Sequence, residues 1–246
     1  VERLLHYILL GLLQGITEFL PVSSSGHLVL AQALFSVQKP GILLEVSLHF
    51  GTLLAVLLVF RAEIWLIFRD TCTGTLRWLN GSGCAGAAED NPGFPMGTAI
   101  VIGTIPAALA GLLLRDSIES FFQADVRITG IFLVITGLVL LVSRLAPAGN
   151  IDRPGPGRGL LVGVAQAVAL FPGISRSGST IVAGYFLGLR RSVAARFSFL
   201  LAIPALAGAM VLEGMRLILH TQEGISSSGN AGALIAGTGT AAVVGW

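Results

Sequence analysis

The chain has 246 residues, of which 54% are hydrophobic and only 11% charged, with a mean hydropathy of +0.84 and a formal net charge of +2. Soluble domains carry about 25% charged residues, so the composition excludes an ordinary soluble domain and marks a polytopic membrane protein. A net charge of +2 is too small to suggest a nucleic-acid partner, and two cysteines, Cys72 and Cys84, form no disulfide framework.

In chain order, residues 4–34 are apolar but interrupted by a polar centre, and residues 42–60, 96–114 and 127–143 each approach the roughly 20 apolar residues that a spanning helix needs. Residues 159–189 repeat the interrupted pattern, and spans 197–219 and 231–246 follow. The two interrupted segments read as broken helices or re-entrant hairpins. Arginines orient the rest. Arg61, Arg69 and Arg77 follow the first span and Arg144, Arg153 and Arg158 the third, whereas the segment 115–126 sets Arg115 against Asp116, Glu119 and Asp125. The positive-inside rule then places 61–95 and 144–158 in the cytoplasm and 35–41 and 115–126 outside. Arg190, Arg191 and Arg196 return the end of 159–189 to the inner face, so that segment enters and leaves on one side. The first hairpin is expected to enter from the other. Segment 70–95, polar and glycine-rich, reads as a loop without evident chemistry.

A shift of 152 residues aligns "GLLQGITEFLPVSSSGH" (11–27) with "GVAQAVALFPGISRSGS" (163–179) without a gap, and brings 42–60 onto 194–212. Gly11/Gly163, Gln14/Gln166, Phe19/Phe171, Ser23/Ser175, Ser25/Ser177 and Gly26/Gly178 are identical. Related halves in opposite orientation make an inverted-topology repeat, whose broken helices form a binding site near the bilayer midplane. The expected fold is therefore all-α: one integral membrane domain (1–246) with repeat 1 over about 4–145 (hairpin 4–34) and repeat 2 over about 159–246 (hairpin 159–189). Symmetry implies about six transmembrane helices, the last expected beyond Trp246.

The tips "PVSSSGH" (21–27) and "PGISRSGST" (172–180) concentrate chemistry that lipid disfavours. Each is expected to open a helix at its serines, so that exposed amides from Ser23, Ser25, Gly26, Ser175, Ser177, Gly178 and Thr180 bind an anion. Arg176 adds a fork suited to phosphate oxygens. Glu18, which shares a helix face with Gln14, is suited to binding a metal or to acting as base. His27 exchanges protons near neutrality, and a serine hydroxyl becomes a nucleophile when a base activates it. Intramembrane Glu and Arg are functional by default. Gln14 supports the tips, Glu45 and His49 share a face of the first span as supporting residues, and Glu213 with Arg216 reads as a local pair.

With "QGITE", "PVSSSGH" and "PGISRSGST" in this order, the chain resembles the undecaprenyl-diphosphatase family, the bacitracin-resistance membrane phosphatases, and the likeness extends to "HFGTLLAVLLVFR" (49–61) and "FSFLLAIP" (197–204). The resemblance implies hydrolysis of undecaprenyl diphosphate to undecaprenyl phosphate and inorganic phosphate, recycling the carrier for peptidoglycan synthesis and conferring bacitracin resistance. It implies six spans with two re-entrant hairpins, an often dimeric assembly, a multi-pass location in the bacterial inner membrane with the site facing the periplasm, and dependence on Mg2+ or Ca2+. Glu18, Ser24, His27 and Arg176 fall on the family's functional positions, with Glu18 as metal ligand. Gln14 stands where the family motif also allows a carboxylate, which leaves one of two. The alternative from the residues alone is a transporter or flippase of a lipid phosphate using the same anion site.

Overall fold

The polar tips of the two interrupted segments break each of them into two helices, and the remaining apolar runs stay continuous. A computed structural model describes residues 2–35, 42–122, 126–219 and 231–246. The first segment forms α1 (Glu2–Thr17) and α2 (Ser24–Leu34), and the second forms α9 (Gly155–Val168) and α10 (Arg176–Phe186). Between them lie α3 (Ile42–Val59), α4 (Arg61–Arg77), α5 (Gly83–Asp90), α6 (Phe94–Leu113), α7 (Arg115–Phe122) and α8 (Val126–Val142); α11 (Arg191–Leu219) and α12 (Ala231–Gly245) follow. The bounds of α2 and α10 differ by the same 152 residues at both ends (176 − 24 and 186 − 34).

Among the described residues, Phe94–Leu113, Val126–Leu145 and Arg191–Leu212 are long and apolar enough to cross a membrane, and α3 reaches that standard only with the helical stretch after it, to which it is bent by 76°. The protein is thus an all-α, multi-pass membrane protein. Two expectations need correction. Residues 70–95 are no loop: α4 continues to Arg77, a kinked turn with Gly81 at φ 93° covers Trp78–Ser82, and α5 follows. Glycine and asparagine made this stretch read as a loop, but α4 buries Ile67, Asp70 and Gly74, and tertiary packing overrides weak propensity. Most of 115–126 is likewise helical, as α7. The segment 35–41 beyond Phe35, Asp125 and the side chains of Glu213 and Arg216 lie outside what the structure describes.

Large apolar side chains such as Val101, Leu109, Val134 and Leu138 face outward, as lipid requires. Inside are two separate apolar clusters: Leu10, Leu28, Leu44, Leu48 and Ala241 on one side, and Ala99, Val162, Leu189, Ala194, Phe197 and Leu201 on the other. Each is built around one closely packed helix pair, α1 on α12 and α9 on α6. Small residues permit that approach, because lipid offers no hydrophobic drive between helices and contact must come from backbone proximity. A Cβ at Gly11 would strike the Gly237 carbonyl, and one at Gly163 the backbone of Gly103. Backbone cannot yield as a side chain can. Gly163→Ala is therefore expected to cost about 1–3 kcal/mol, read as a lower thermal midpoint in detergent; an unchanged midpoint would show that α9 and α6 do not pack this closely.

Candidate active site

Between the two clusters the hairpin tips meet. The last turn of α1 carries Gln14 and Thr17, and the chain then turns through Glu18–Val22 before α2 starts at Ser24. Ser23 takes φ 67°, the one positive φ outside glycine among the described residues, and its hydroxyl caps α2 by accepting from the Gly26 amide at 3.3 Å. In the other tip Gly173 takes φ 96°, and Ser175 caps α10 from the Gly178 amide at 3.0 Å. A strained non-glycine residue in a polar tip is typical of a functional position. The tips cross at their glycines: a Cβ on Gly26 would meet Gly173, and one on Gly178 would meet the Pro21 carbonyl. Thr136 of α8 pins the second tip, donating to the Gly173 carbonyl at 2.8 Å and accepting from the Ser175 amide at 3.0 Å.

Starting α10 at Arg176 aims its guanidinium across to the first tip, where Nη2 forms an ion pair with Glu18 Oε1. Glu18 is buried, and its second oxygen, Oε2, is shared. It accepts from Ser24 Oγ at 2.5 Å and from Gln14 Nε2 at 2.9 Å, and His49 Nε2 stands 3.6 Å away. His49 is itself fixed, donating from Nδ1 to the Glu45 carbonyl at 2.8 Å. Thr52, one turn further along α3, donates to the His49 carbonyl at 3.0 Å and lies 3.4 Å from Gln14 Nε2. The other Arg176 nitrogen, Nη1, reaches the Ala202 carbonyl at 3.4 Å. The buried Glu18 carboxylate paired to a partly exposed arginine, with hydroxyl, amide and imidazole around it, is a polar network with its charges closely matched.

Of the residues singled out in the sequence, Glu18, Ser24, Arg176 and Gln14 converge. Glu45 meets this group by its main-chain carbonyl, which accepts from His49 Nδ1. His27 stands outside the hydrogen bonds and ion pairs of Glu18: its Nδ1 bonds back to the Ser23 carbonyl at 2.8 Å. The imidazole beside the carboxylate is that of His49, whose signal in the sequence was a histidine one helical turn after Glu45 in an apolar run. Ser23 and Ser175 serve as caps. Ser25 lies 3.3 Å from the Ser23 hydroxyl, and Ser177, which lies 3.3 Å from the Ser175 hydroxyl, ties the tips together by donating to the Leu20 carbonyl at 3.2 Å. Thr180 is buried against Ser198, hydroxyl to hydroxyl at 2.5 Å. Nothing in the sequence patterns pointed to Thr52, Thr136 or Ser198.

A narrow cleft opens on this network. Its polar end is Glu18, Thr52, Arg176, Ser177 and Ser198, and its walls are Phe19, Val56, Phe199, Ala202 and Leu206. The free volume is about 10 Å³, room for one water at most. Glu18 therefore occupies the guanidinium at the polar end of the cleft, and an anionic ligand competes with it there. Among the described residues no three His, Cys, Asp or Glu side chains cluster as a ready-made metal cage.

Comparison with known proteins adds an independent line. Residues 7–246 match the family model described as bacitracin resistance protein BacA. The chain is 44% identical over 212 residues to an undecaprenyl-diphosphatase of Desulfosudis oleivorans, covering 85% of this chain and 77% of that one. It is 42% identical over 245 residues to the undecaprenyl-diphosphatase of Geobacter sulfurreducens, covering 99% and 86% respectively. An undecaprenyl-diphosphatase of Methanosphaera stadtmanae is 41% identical over 213 residues, covering 85% and 76%.

Proposed function

Since the chain belongs to the bacitracin resistance protein BacA family, we propose that it is a membrane undecaprenyl-diphosphatase. It releases inorganic phosphate from undecaprenyl diphosphate and returns undecaprenyl phosphate to peptidoglycan synthesis, which confers bacitracin resistance. The observation that carries this reading is the convergence of Arg176, Glu18 and Ser24 from two separate hairpins at the polar end of an apolar-walled cleft. A diphosphate head on a hydrocarbon tail has the same division of character.

The residues divide the work as follows. Arg176 leaves Glu18 and takes phosphate oxygens in its fork, where a charge-assisted bidentate contact is strongest. Ser24 Oγ attacks the terminal phosphorus, and its proton passes to Glu18, whose hydrogen bond at 2.5 Å already marks the direction of transfer. The bond from that phosphorus to the bridging oxygen breaks, and undecaprenyl phosphate leaves. Glu18 loses that proton to solvent; water then attacks the phosphoserine phosphorus and gives its own proton to Glu18, the bond to Ser24 Oγ breaks, Ser24 Oγ takes the proton back from Glu18, and inorganic phosphate leaves. Gln14 and His49 hold Glu18 in place. A divalent cation, Mg2+ or Ca2+, fits the site in company with the substrate, because Mg2+ is commonly held by one or two carboxylates plus substrate phosphates. Glu18 would hold it, and when bound it would neutralise charge on the diphosphate oxygens. The tail lies along Val56, Phe199 and Leu206. We place the protein in the bacterial inner membrane with the site on the periplasmic side, as a homodimer, with two inverted repeats.

The deciding experiment is phosphate release from undecaprenyl diphosphate by purified protein in detergent, with Mg2+ or Ca2+ and with EDTA. Cation-dependent release is expected. Detergent leaves no second compartment, so a folded protein that binds the lipid yet releases nothing would be a lipid-phosphate carrier and not a hydrolase.

A further inference from the structure

We propose that α4 lies in the membrane–water interface as an amphipathic helix and holds anionic lipid headgroups through Arg69 at the flank of its apolar face. Four observations meet here. First, the helical stretch that starts at Arg61 is turned 76° from α3, one residue after α3 ends. With the apolar α3 running through the bilayer, a helix leaving it at that angle runs close to the bilayer plane. Second, Trp65, Phe68, Cys72, Leu76 and Leu79 recur at steps of three and four, which puts them on one face. Their exposure is high: 67% for Trp65, 60% for Phe68, 62% for Leu76 and 69% for Leu79. Leu58 and Val59 at the end of α3 are exposed as well.

Third, the opposite face is already committed. Ile67, Asp70 and Gly74 are buried, Asp70 accepts from the Gly93 amide at 2.8 Å, and Gly74 lies on the Phe94 ring at the start of α6. The helix therefore cannot roll its apolar stripe inward. Fourth, the charges are sorted. The acids are drawn away from the stripe, Asp70 into the α6 contact and Glu63 to Arg196 at 3.0 Å. Arg61, Arg69 and Arg77 stay exposed, with Arg61 donating to the Leu58 carbonyl and Arg77 paired to Asp90. An apolar face carrying an aromatic, with Arg61 at its start and Arg69 at its flank, is suited to the headgroup region, and basic side chains there favour anionic lipid.

The test is fluorescence quenching on full-length protein in nanodiscs. The tryptophans are Trp65, Trp78 and Trp246, so Trp78→Phe with Trp246→Phe leaves Trp65 as the reporter. Nitroxide-labelled phospholipids, labelled near the headgroup or near the chain end, are compared with aqueous acrylamide. The expected result is strongest quenching by the shallow label, greater with anionic than with zwitterionic carriers, the difference shrinking in Arg69→Gln. Dominant acrylamide quenching would place the stripe in water, dominant deep quenching would make α4 part of a span, and silence of all three quenchers would mean a protein covers it. Each of these overturns the proposal. If the double variant does not fold, Cys84→Ser leaves Cys72 as the single thiol, and a nitroxide there reads depth from oxygen against aqueous nickel accessibility.

Discussion

Arg176→Ala is expected to lower kcat/KM for phosphate release by about three orders of magnitude. One preorganised donor to a developing oxyanion is worth on the order of 10²–10³ in rate, and Arg176 supplies two nitrogens and the site's permanent positive charge. Arg176→Lys keeps the charge without the planar fork, so it is expected to recover only part of the loss. The alanine variant also strands Glu18, a buried carboxylate still facing Ser24, Gln14 and His49, and removing one partner of a buried pair costs about 3–5 kcal/mol. A loss of activity could then reflect misfolding. The double variant Glu18→Gln with Arg176→Met removes both charges at similar volume, and replacing a buried pair with apolar groups is often neutral for stability. It is expected to restore the thermal midpoint and not the activity. Turnover by Arg176→Ala within tenfold of wild type would mean that the phosphate is held elsewhere.

The path from sequence to this site was direct where chemistry and patterning coincided. The costs of placing Glu18 and Arg176 in lipid made them stand out, and the serines flanked by proline and glycine marked the starts of α2 and α10. What local pattern could not carry was direction. Ser23 and Ser175 looked like ligands, yet a serine before a helix is as well suited to capping, and both hydroxyls are used that way. His27 and His49 are alike in sequence, each with Nδ1 on the carbonyl four residues back. Only the docking of α3 against the first hairpin decides which imidazole meets Glu18. Thr136 and Ser198 act across distances of 37 and 18 residues, contacts that no spacing within one helix encodes. In α4 the apolar stripe was present at helical period, but glycine and asparagine further on hid it.

Glu18→Gln separates the carboxylate's two duties, and it is expected to move kcat and KM in the same direction. Glutamine keeps the shape and can still accept from Ser24, but it cannot take the serine proton. General-base help contributes about 10²–10⁴, so kcat should fall by at least about 10². In the resting protein, however, Glu18 also occupies the guanidinium that the substrate needs, in a cleft with about 10 Å³ to spare. Removing its charge leaves Arg176 without its anionic partner and eliminates the competitor for phosphate. KM should therefore drop several-fold, the pattern expected when a mutation lowers turnover while relieving a ground-state cost. A second readout needs no catalysis. Inorganic phosphate binds the folded state alone, so it raises stability by RT ln(1 + [L]/Kd), and the rise in thermal midpoint on adding phosphate should be larger for Glu18→Gln than for wild type. If KM rises instead, and phosphate stabilises both proteins equally, the carboxylate does not guard the arginine. Glu18 would then contribute as the base and as the holder of the cation, and the phosphate would reach the arginine without displacing it.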